Sequence, residues 1–133
     1  MRKLALLAAL VAALAVAAPA SAATSFHSPS GNIRCVIYGT SFTRCDITNR
    51  DWSPPPKPRL CELDWGNSLS LGLRGRGRFA CVSDAVDPGR TLDYGKSIKR
   101  GRFRCRSRMS GIRCVNVRND HGFAMSRQRV RRF

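Results

Sequence analysis

The chain has 133 residues, of which 24 are Lys or Arg and 8 are Asp or Glu, and its formal net charge is +16. This length leaves room for one small domain and argues against a multi-domain enzyme. The excess of positive charge predicts a partner that carries negative charge.

The first 22 residues have the layout of a secretory signal peptide. Arg2 and Lys3 precede an uninterrupted apolar run over residues 4–18, and the small-residue site Ala20-Ser21-Ala22 follows. The run has 15 residues, which is too short to span a bilayer. We expect residues 1–22 to be a signal peptide and residues 23–133 to form a single six-cysteine β domain that is secreted and has no transmembrane segment.

All the cysteines of the chain lie after the predicted signal peptide. An even number of cysteines in a short exported chain predicts three disulfides. Because no Cys-x-x-Cys pair is present, the sequence indicates neither a zinc site nor a redox pair, and we expect no metal and no cofactor. The six are Cys35, Cys45, Cys61, Cys81, Cys105 and Cys114.

Turn-forming residues recur along the chain, and no segment keeps a helical apolar period for three turns. This pattern predicts an all-β fold, in which hairpins build a small disulfide-stapled antiparallel sheet or a barrel-like domain. One hairpin is predicted over residues 32–48, with a loop at Gly39-Thr40-Ser41 that places Cys35 opposite Cys45.

A second hairpin is predicted over residues 102–117, with a turn at Arg108-Met109-Ser110-Gly111 that places Cys105 opposite Cys114. The two hairpins favour disulfides 35 to 45 and 105 to 114, which leave 61 to 81. Directly opposed Cβ atoms are about 4.5 to 5.5 Å apart, whereas a relaxed disulfide needs about 3.5 to 4.5 Å, so other pairings stay open.

Two short elements occur twice in the same order. Residues 63–68 and 92–97 share an Asp-aromatic-Gly triplet, and residues 77–83 and 101–107 share the sequence Gly-Arg-Phe. The triplet predicts a turn in which Gly has a positive φ, and the second element predicts a strand that buries its Phe. The repeat is interpreted either as two paired turn-strand units or as convergent turn chemistry.

Basic residues are concentrated at one end of the chain. Residues 23–95 have a net charge of +2, whereas residues 96–133 hold 13 basic residues and the single acid Asp120. Arginines occupy every second position from Arg100 to Arg108, so one strand would carry all five on one face. The same alternation occurs at residues 74–78. The predicted polyanion-binding residues are Arg100, Arg102, Arg104, Arg106, Arg108, Arg113, Arg74, Arg76 and Arg78.

In the predicted register Arg106 faces Arg113, a like-charge pair that destabilises a sheet unless an anion lies between the two. Guanidinium groups without acidic partners suit phosphate or sulfate, which their planar fork binds bidentately. We expect a non-enzymatic protein that binds an anionic polymer or surface, namely a wall polymer, a nucleic acid or an anionic lipid. The alternative is a solvated strand face whose charges prevent aggregation.

Two other functions remain as hypotheses. A small ribonuclease-like hydrolase would use His27 and His121 as general base and acid, although nothing in the sequence brings them together, and we therefore assign no catalytic residue. An extracellular protein-protein module of the inhibitor type would present the segment from Trp52 to Trp65. The aromatic residues that flank turns and are expected to be exposed are Trp52, Trp65, Tyr94 and Phe123.

Five segments combine turn formers, aromatic residues and cysteines in a specific order over roughly Phe26 to Phe133. They are residues 26–33 (Phe-His-Ser-Pro-Ser-Gly-Asn-Ile), 50–56 (Arg-Asp-Trp-Ser-Pro-Pro-Pro), 61–66 (Cys-Glu-Leu-Asp-Trp-Gly), 92–95 (Leu-Asp-Tyr-Gly) and 121–127 (His-Gly-Phe-Ala-Met-Ser-Arg). In these segments the chain resembles a family of small exported actinobacterial proteins with an uncharacterised six-cysteine domain of unknown function. The resemblance implies export, three disulfides and one domain, and it carries no activity. The dense arginines of residues 100–108 lie outside these segments.

Overall fold

The computed structural model describes residues 12–17 and 23–133. The predicted signal peptide lies outside the described residues except for 12–17, which have no regular secondary structure. All the regular elements of the described residues are β-strands, which confirms the all-β prediction, and no helix there could cross a membrane. The strands are β1 Ala23–His27, β2 Ile33–Tyr38, β3 Phe42–Ile47, β4 Ser68–Leu71, β5 Arg78–Phe79, β6 Arg90–Thr91, β7 Ser97–Arg100, β8 Phe103–Arg108, β9 Gly111–Asn116, β10 Gly122–Met125 and β11 Val130–Arg132.

These strands form two sheets. The six-stranded sheet has the order β5-β4-β3-β2-β1-β6, and the five-stranded sheet has the order β11-β10-β9-β8-β7. Neighbouring strands are antiparallel except for β1 and β6, which are parallel. Because each sheet has two different edge strands, neither sheet closes on itself, and the expectation of a barrel-like domain is wrong.

The two predicted hairpins are present and set the disulfide pairing. Strands β2 and β3 pair with Cys35 opposite Cys45, and β8 and β9 pair with Cys105 opposite Cys114. The second turn is shorter than predicted, because Arg108 and Gly111 still pair and only two residues separate the strands. The disulfides join Cys35 to Cys45, Cys61 to Cys81 and Cys105 to Cys114, which confirms the pairing that the hairpins favour.

Both copies of the Asp-aromatic-Gly triplet form turns, as predicted. Gly66 and Gly95 have φ values of +99° and +83°, a backbone conformation that glycine adopts without steric cost. Each turn leads into a hairpin, β4 with β5 in one sheet and β7 with β8 in the other. The equivalent phenylalanines Phe79 and Phe103 are partly and fully buried. The repeated sequence therefore corresponds to a repeated structural unit.

One hydrophobic core lies between the two sheets. Alternation of inward and outward side chains builds it. In β8 the side chains of Phe103, Cys105 and Ser107 are buried, and the arginines that alternate with them are exposed. The two hairpin disulfides meet at its centre, where Cys45 Sγ is 3.7 Å from Cys114 Sγ. Phe123 also belongs to this core with no exposed surface. The expectation that Phe123 is exposed is wrong, because the residue pairs with Cys114 and shares its inward direction.

The outer face of the six-stranded sheet is covered by the segment between β5 and β6, which leads from one edge of that sheet to the other. The covering contact is made by Arg44, an outward residue of β3 that is only 5% exposed. Its guanidinium group donates to both carboxylate oxygens of Asp46 at 2.8 Å, and to the carboxylate and the backbone oxygen of Asp84 at 3.0 and 2.6 Å. Val36 of β2 and Val86 of the segment are buried as well. The opposite outer face, on the five-stranded sheet, is left as the exposed sheet surface.

Candidate anion-binding face

The outward surface of the five-stranded sheet carries seven basic side chains, which we call the arginine face. It is built by β8 and β9, whose outward residues alternate with core residues, together with neighbours on β7 and around β11. All seven side chains are exposed. The arginine face consists of Lys99, Arg104, Arg106, Arg108, Arg113, Arg129 and Arg131.

A single row across the strands runs through the middle of the arginine face. Arg106 pairs directly with Arg113, as the sequence predicts, and Arg113 pairs with Ala124, which in turn pairs with Arg131. Like charges opposite each other destabilise a sheet. The short side chain of Ala124 leaves space between the guanidinium groups of its two neighbours. The row therefore has the form of a series of cations with room for anions between them.

Two shallow cavities lie on either side of the Arg106–Arg113 pair. Their volumes are about 390 Å³ and about 330 Å³, and both are lined by Arg106, Arg108 and Arg113. Asp120 is the one acidic residue that lines either cavity within the described part of the chain. In residues 12–17 and 23–133 the ion pairs involve Arg44 and Arg127, and none involves the arginine face. Among the described residues, no ion pair therefore compensates the charge of this surface.

The ring of Phe133 positions two of these arginines. The guanidinium carbons of Arg113 and Arg131 lie 4.3 and 5.1 Å from its centroid. Cation–π contacts at such distances favour a fixed position of the guanidinium group. Positioning before binding lowers the entropic cost of contacting a ligand.

The predicted five-arginine strand is wrong in part. The chain reverses at Gly101 and Arg102, so Arg100 ends β7 and pairs with Phe103 of the next strand. Gly101 has a φ of +56°, which fits a tight turn and not the extended strand that the alternation predicts. One face of β8 carries only Arg104, Arg106 and Arg108, and Arg100 and Arg102 precede the first residue of that strand.

The second predicted strand with alternating arginines, at residues 74–78, is also wrong. Residues 72–77 form a loop with Gly75 at a φ of +72°, and only Arg78 is part of a strand. Arg74, Arg76 and Arg78 instead meet Arg132 around a separate cavity of about 470 Å³. Seven of the nine predicted arginines therefore fall into two clusters, and sequence alternation could not reveal the contribution of Arg132.

The two histidines are not brought together. His27 Nδ1 donates to the Pro88 carbonyl at 2.8 Å, and the Thr91 hydroxyl donates to His27 Nε2 at 3.0 Å. The His121 amide donates to Asn119 Oδ1 at 3.1 Å, and Asn119 Nδ2 donates to the carbonyl of Leu73, in the loop after β4, at 3.2 Å. No hydrogen bond of the described residues connects the two histidines.

Both tryptophans are half-buried, so the expectation that they are exposed is wrong. The indole N–H of Trp52 donates to the Ser126 carbonyl at 2.9 Å, and that of Trp65 donates to the Pro55 carbonyl at 2.8 Å. Both rings pack against Phe79, with centroids 6.0 and 5.8 Å away. Tyr94 is 47% exposed, as expected.

Three sulfur atoms lie close together in the core, those of Cys35, Cys45 and Cys114. All three belong to disulfides, and a disulfide sulfur is not the thiolate that binds zinc. This cluster is therefore explained by the packing of two disulfides.

The comparisons with known proteins add a family and no activity. The model of one family, described as a family of unknown function (DUF6636), matches residues 5–133. No similar curated protein and no similar solved structure was found. The match starts within the predicted signal peptide and includes all eleven strands. The chain belongs to this family of unknown function.

Proposed function

We propose that the protein is an exported, non-enzymatic binder of anionic polymers and that the arginine face is its contact surface. The observation that carries the proposal is the placement of seven cations on the uncovered sheet face, with no ion pair among the described residues to neutralise them. Export is supported by the three disulfides, since such bonds persist in oxidising compartments.

The side chains of the arginine face favour contacts with phosphate or sulfate groups over contacts with nucleic-acid bases. Guanidinium groups bind these anions through two parallel hydrogen bonds. Bases would require exposed aromatic rings for stacking. The ring next to this face, that of Phe133, already contacts Arg113 and Arg131. Binding would thus depend on the charged backbone of a polymer and fall steeply with salt concentration.

Three sources of such charge are consistent with the arginine face: phosphate-rich wall polymers, nucleic acids and anionic lipid headgroups. The competing interpretation is a solvated strand face without a ligand. The Arg106–Arg113 pair distinguishes the solvated face from the anion-binding face. A solvated face gains nothing from directly opposed like charges, whereas an anion binder uses them.

A pair of triple variants tests the proposal. The face variant carries Arg104→Gln, Arg106→Gln and Arg113→Gln, and the control carries Arg34→Gln, Arg59→Gln and Arg90→Gln, which are exposed arginines outside the arginine face. Both lose the same charge. Binding of polyphosphate is measured over a salt series, and gel analysis of the same mixtures reports whether the polymer is cleaved.

We expect the face variant to bind about 10- to 100-fold more weakly than the unmodified protein, from about 0.5 to 1 kcal/mol per exposed ionic contact. The slope of log affinity against log salt should decrease in magnitude by about three. The control should stay close to the unmodified protein. Equal affinities of the two variants would indicate that the arginine face is a solvated surface without a ligand. Cleaved polymer would favour a hydrolase.

A further inference from the structure

A polar cavity at one end of the sandwich is distinct from the arginine face. Its volume is about 340 Å³, at the lower end of the range of about 300 to 1,000 Å³ for small-ligand sites. Loops from both sheets line it, including the turns that connect β1 to β2, β8 to β9 and β10 to β11. Loops held at the end of a rigid sandwich are a common place for binding residues.

Three of the segments that carry the family resemblance meet at this cavity. Residues 26–33 contribute Ser30 and Asn32, residues 92–95 contribute Tyr94, and residues 121–127 contribute Ser126. None of the seven basic residues of the arginine face belongs to these segments. Apart from Arg108, the residues that line the cavity therefore have no part in the function proposed above.

The side chains around the cavity combine a planar apolar surface with free polar groups. Tyr94 is 47% exposed, and its turn is fixed by a bond from the Lys96 amide to the Asp93 carbonyl at 3.0 Å and by one from the Gly95 amide to Ser107 at 2.7 Å. In the described residues, the Tyr94 hydroxyl, the Gln128 amide and the Arg108 guanidinium group all lack a hydrogen-bond partner.

This combination matches the surface of a sugar ring. The C–H face of a pyranose packs on an aromatic ring, and its hydroxyl groups exchange hydrogen bonds with groups that both donate and accept, such as an amide or a hydroxyl. An apolar ligand would leave these polar groups unpaired, which is unfavourable. A bare phosphate chain would make no use of the Tyr94 ring.

We propose that this cavity binds a sugar unit of an acidic polysaccharide whose charged groups continue onto the arginine face. Arg108 connects the two surfaces, because it lines the polar cavity and both cavities of the arginine face. The inference rests on the function proposed above and names the class of the polymer.

Three probes separate sugar recognition from charge recognition. Dextran sulfate carries sugar rings and charge, polyphosphate carries charge alone, and unmodified dextran carries sugar alone. Their binding is compared for the unmodified protein, for Tyr94→Ala, for Gln128→Ala and for the triple face variant. The matched control is Tyr38→Ala, which removes a tyrosine with 39% exposure at the tip of the first hairpin.

We expect Tyr94→Ala to bind dextran sulfate about fivefold more weakly, the loss that one aromatic contact produces, and to bind polyphosphate as before. Gln128→Ala should show the same selectivity, and Tyr38→Ala should change neither affinity. The face variant should lose affinity for both charged probes. Unmodified dextran should bind much more weakly than dextran sulfate.

Two results would overturn the sugar site while leaving the proposed function intact. One is an equal effect of Tyr94→Ala and Gln128→Ala on both charged probes, or no effect on either. The other is binding of polyphosphate without binding of dextran sulfate. Failure of the proposed function has a different signature, because the face variant would then bind both charged probes as tightly as the unmodified protein.

Discussion

At the residue scale, Arg44 links the six-stranded sheet to the segment that covers it. Burial lowers the pKa of Arg44, but the hydrogen bonds and charges of Asp46 and Asp84 outweigh this effect and raise the pKa overall. The side chain therefore stays charged while it is almost fully buried. A buried cation of this kind depends on both acidic partners, because removal of either leaves part of its charge uncompensated.

Asp84 gives this contact a pH dependence. The hydrogen bond from Arg44 and its positive charge lower the pKa of the Asp84 carboxyl below its ordinary value of 3.8. A carboxyl whose pKa is lower in the folded state stabilises the fold above the ordinary value, and this stability is lost as the pH falls through the lowered value. We expect Asp84→Asn to lose less stability than the unmodified protein on acidification from neutral pH to below this range, as measured by urea unfolding. The difference should be modest because the carboxylate is exposed, and identical acid profiles would contradict the assignment.

The buried hydroxyl of Ser107 lowers the stability of the fold. Its hydroxyl is fully buried in the core and has no hydrogen-bond partner among the described residues. An unpaired buried hydroxyl costs about 1 to 3 kcal/mol, and Ala has almost the same volume without it. We expect Ser107→Ala to raise the free energy of unfolding by about 1 kcal/mol in chemical denaturation. Destabilisation by Ser107→Ala would show that the hydroxyl has a partner in solution.

At the element scale, the parts that could be predicted from the sequence are those that local chemistry determines. The register of both hairpins follows from the spacing of their cysteines around Gly-containing turns, and the disulfide pairs follow from that register. Alternation of arginines was not sufficient to predict a strand, because Gly101 starts a turn and residues 72–77 form a loop. The exposed position predicted for Phe123 is wrong because the neighbouring turn residues indicate a loop, whereas its pairing with Cys114 is a contact that only the tertiary fold shows.

The direct pairing of Arg106 with Arg113 lowers the stability of the sheet, and this effect can be measured without a ligand. Arg106 faces Arg113 directly, whereas Arg108 faces Gly111. We expect Arg106→Gln to raise the free energy of unfolding by about 0.5 kcal/mol at low ionic strength, since it removes a like-charge pair. The gain should shrink at high salt as the repulsion is screened.

Arg108→Gln is the matched control for this measurement, because it removes one charge from the same strand at a position that faces Gly111 and no cation. Urea unfolding at two salt concentrations compares the two variants with the unmodified protein. A loss of stability in Arg106→Gln at low salt would contradict the assignment of repulsion to this pair. So would a gain of the same size in both variants.

At the scale of the whole molecule, the two outer faces of the sandwich differ in what covers them. The segment between β5 and β6 covers one face, and Arg44 is buried beneath it with two acidic partners. The other face is uncovered and carries seven cations. Composition alone predicts the strong positive charge of residues 96–133, but only the fold shows that it lies on a single exposed sheet surface next to a polar cavity.

The arginine face is tested most directly as a binding surface by a map of the residues that a polyanion contacts. Backbone amide signals of the isotope-labelled, oxidised protein are followed by NMR while polyphosphate is added at low salt. We expect the largest shifts in β8, β9 and β11, with the signals of β2 and β3 unchanged. Shifts that are spread evenly over the molecule, or that centre on the six-stranded sheet, would contradict the assignment of the arginine face as the binding surface.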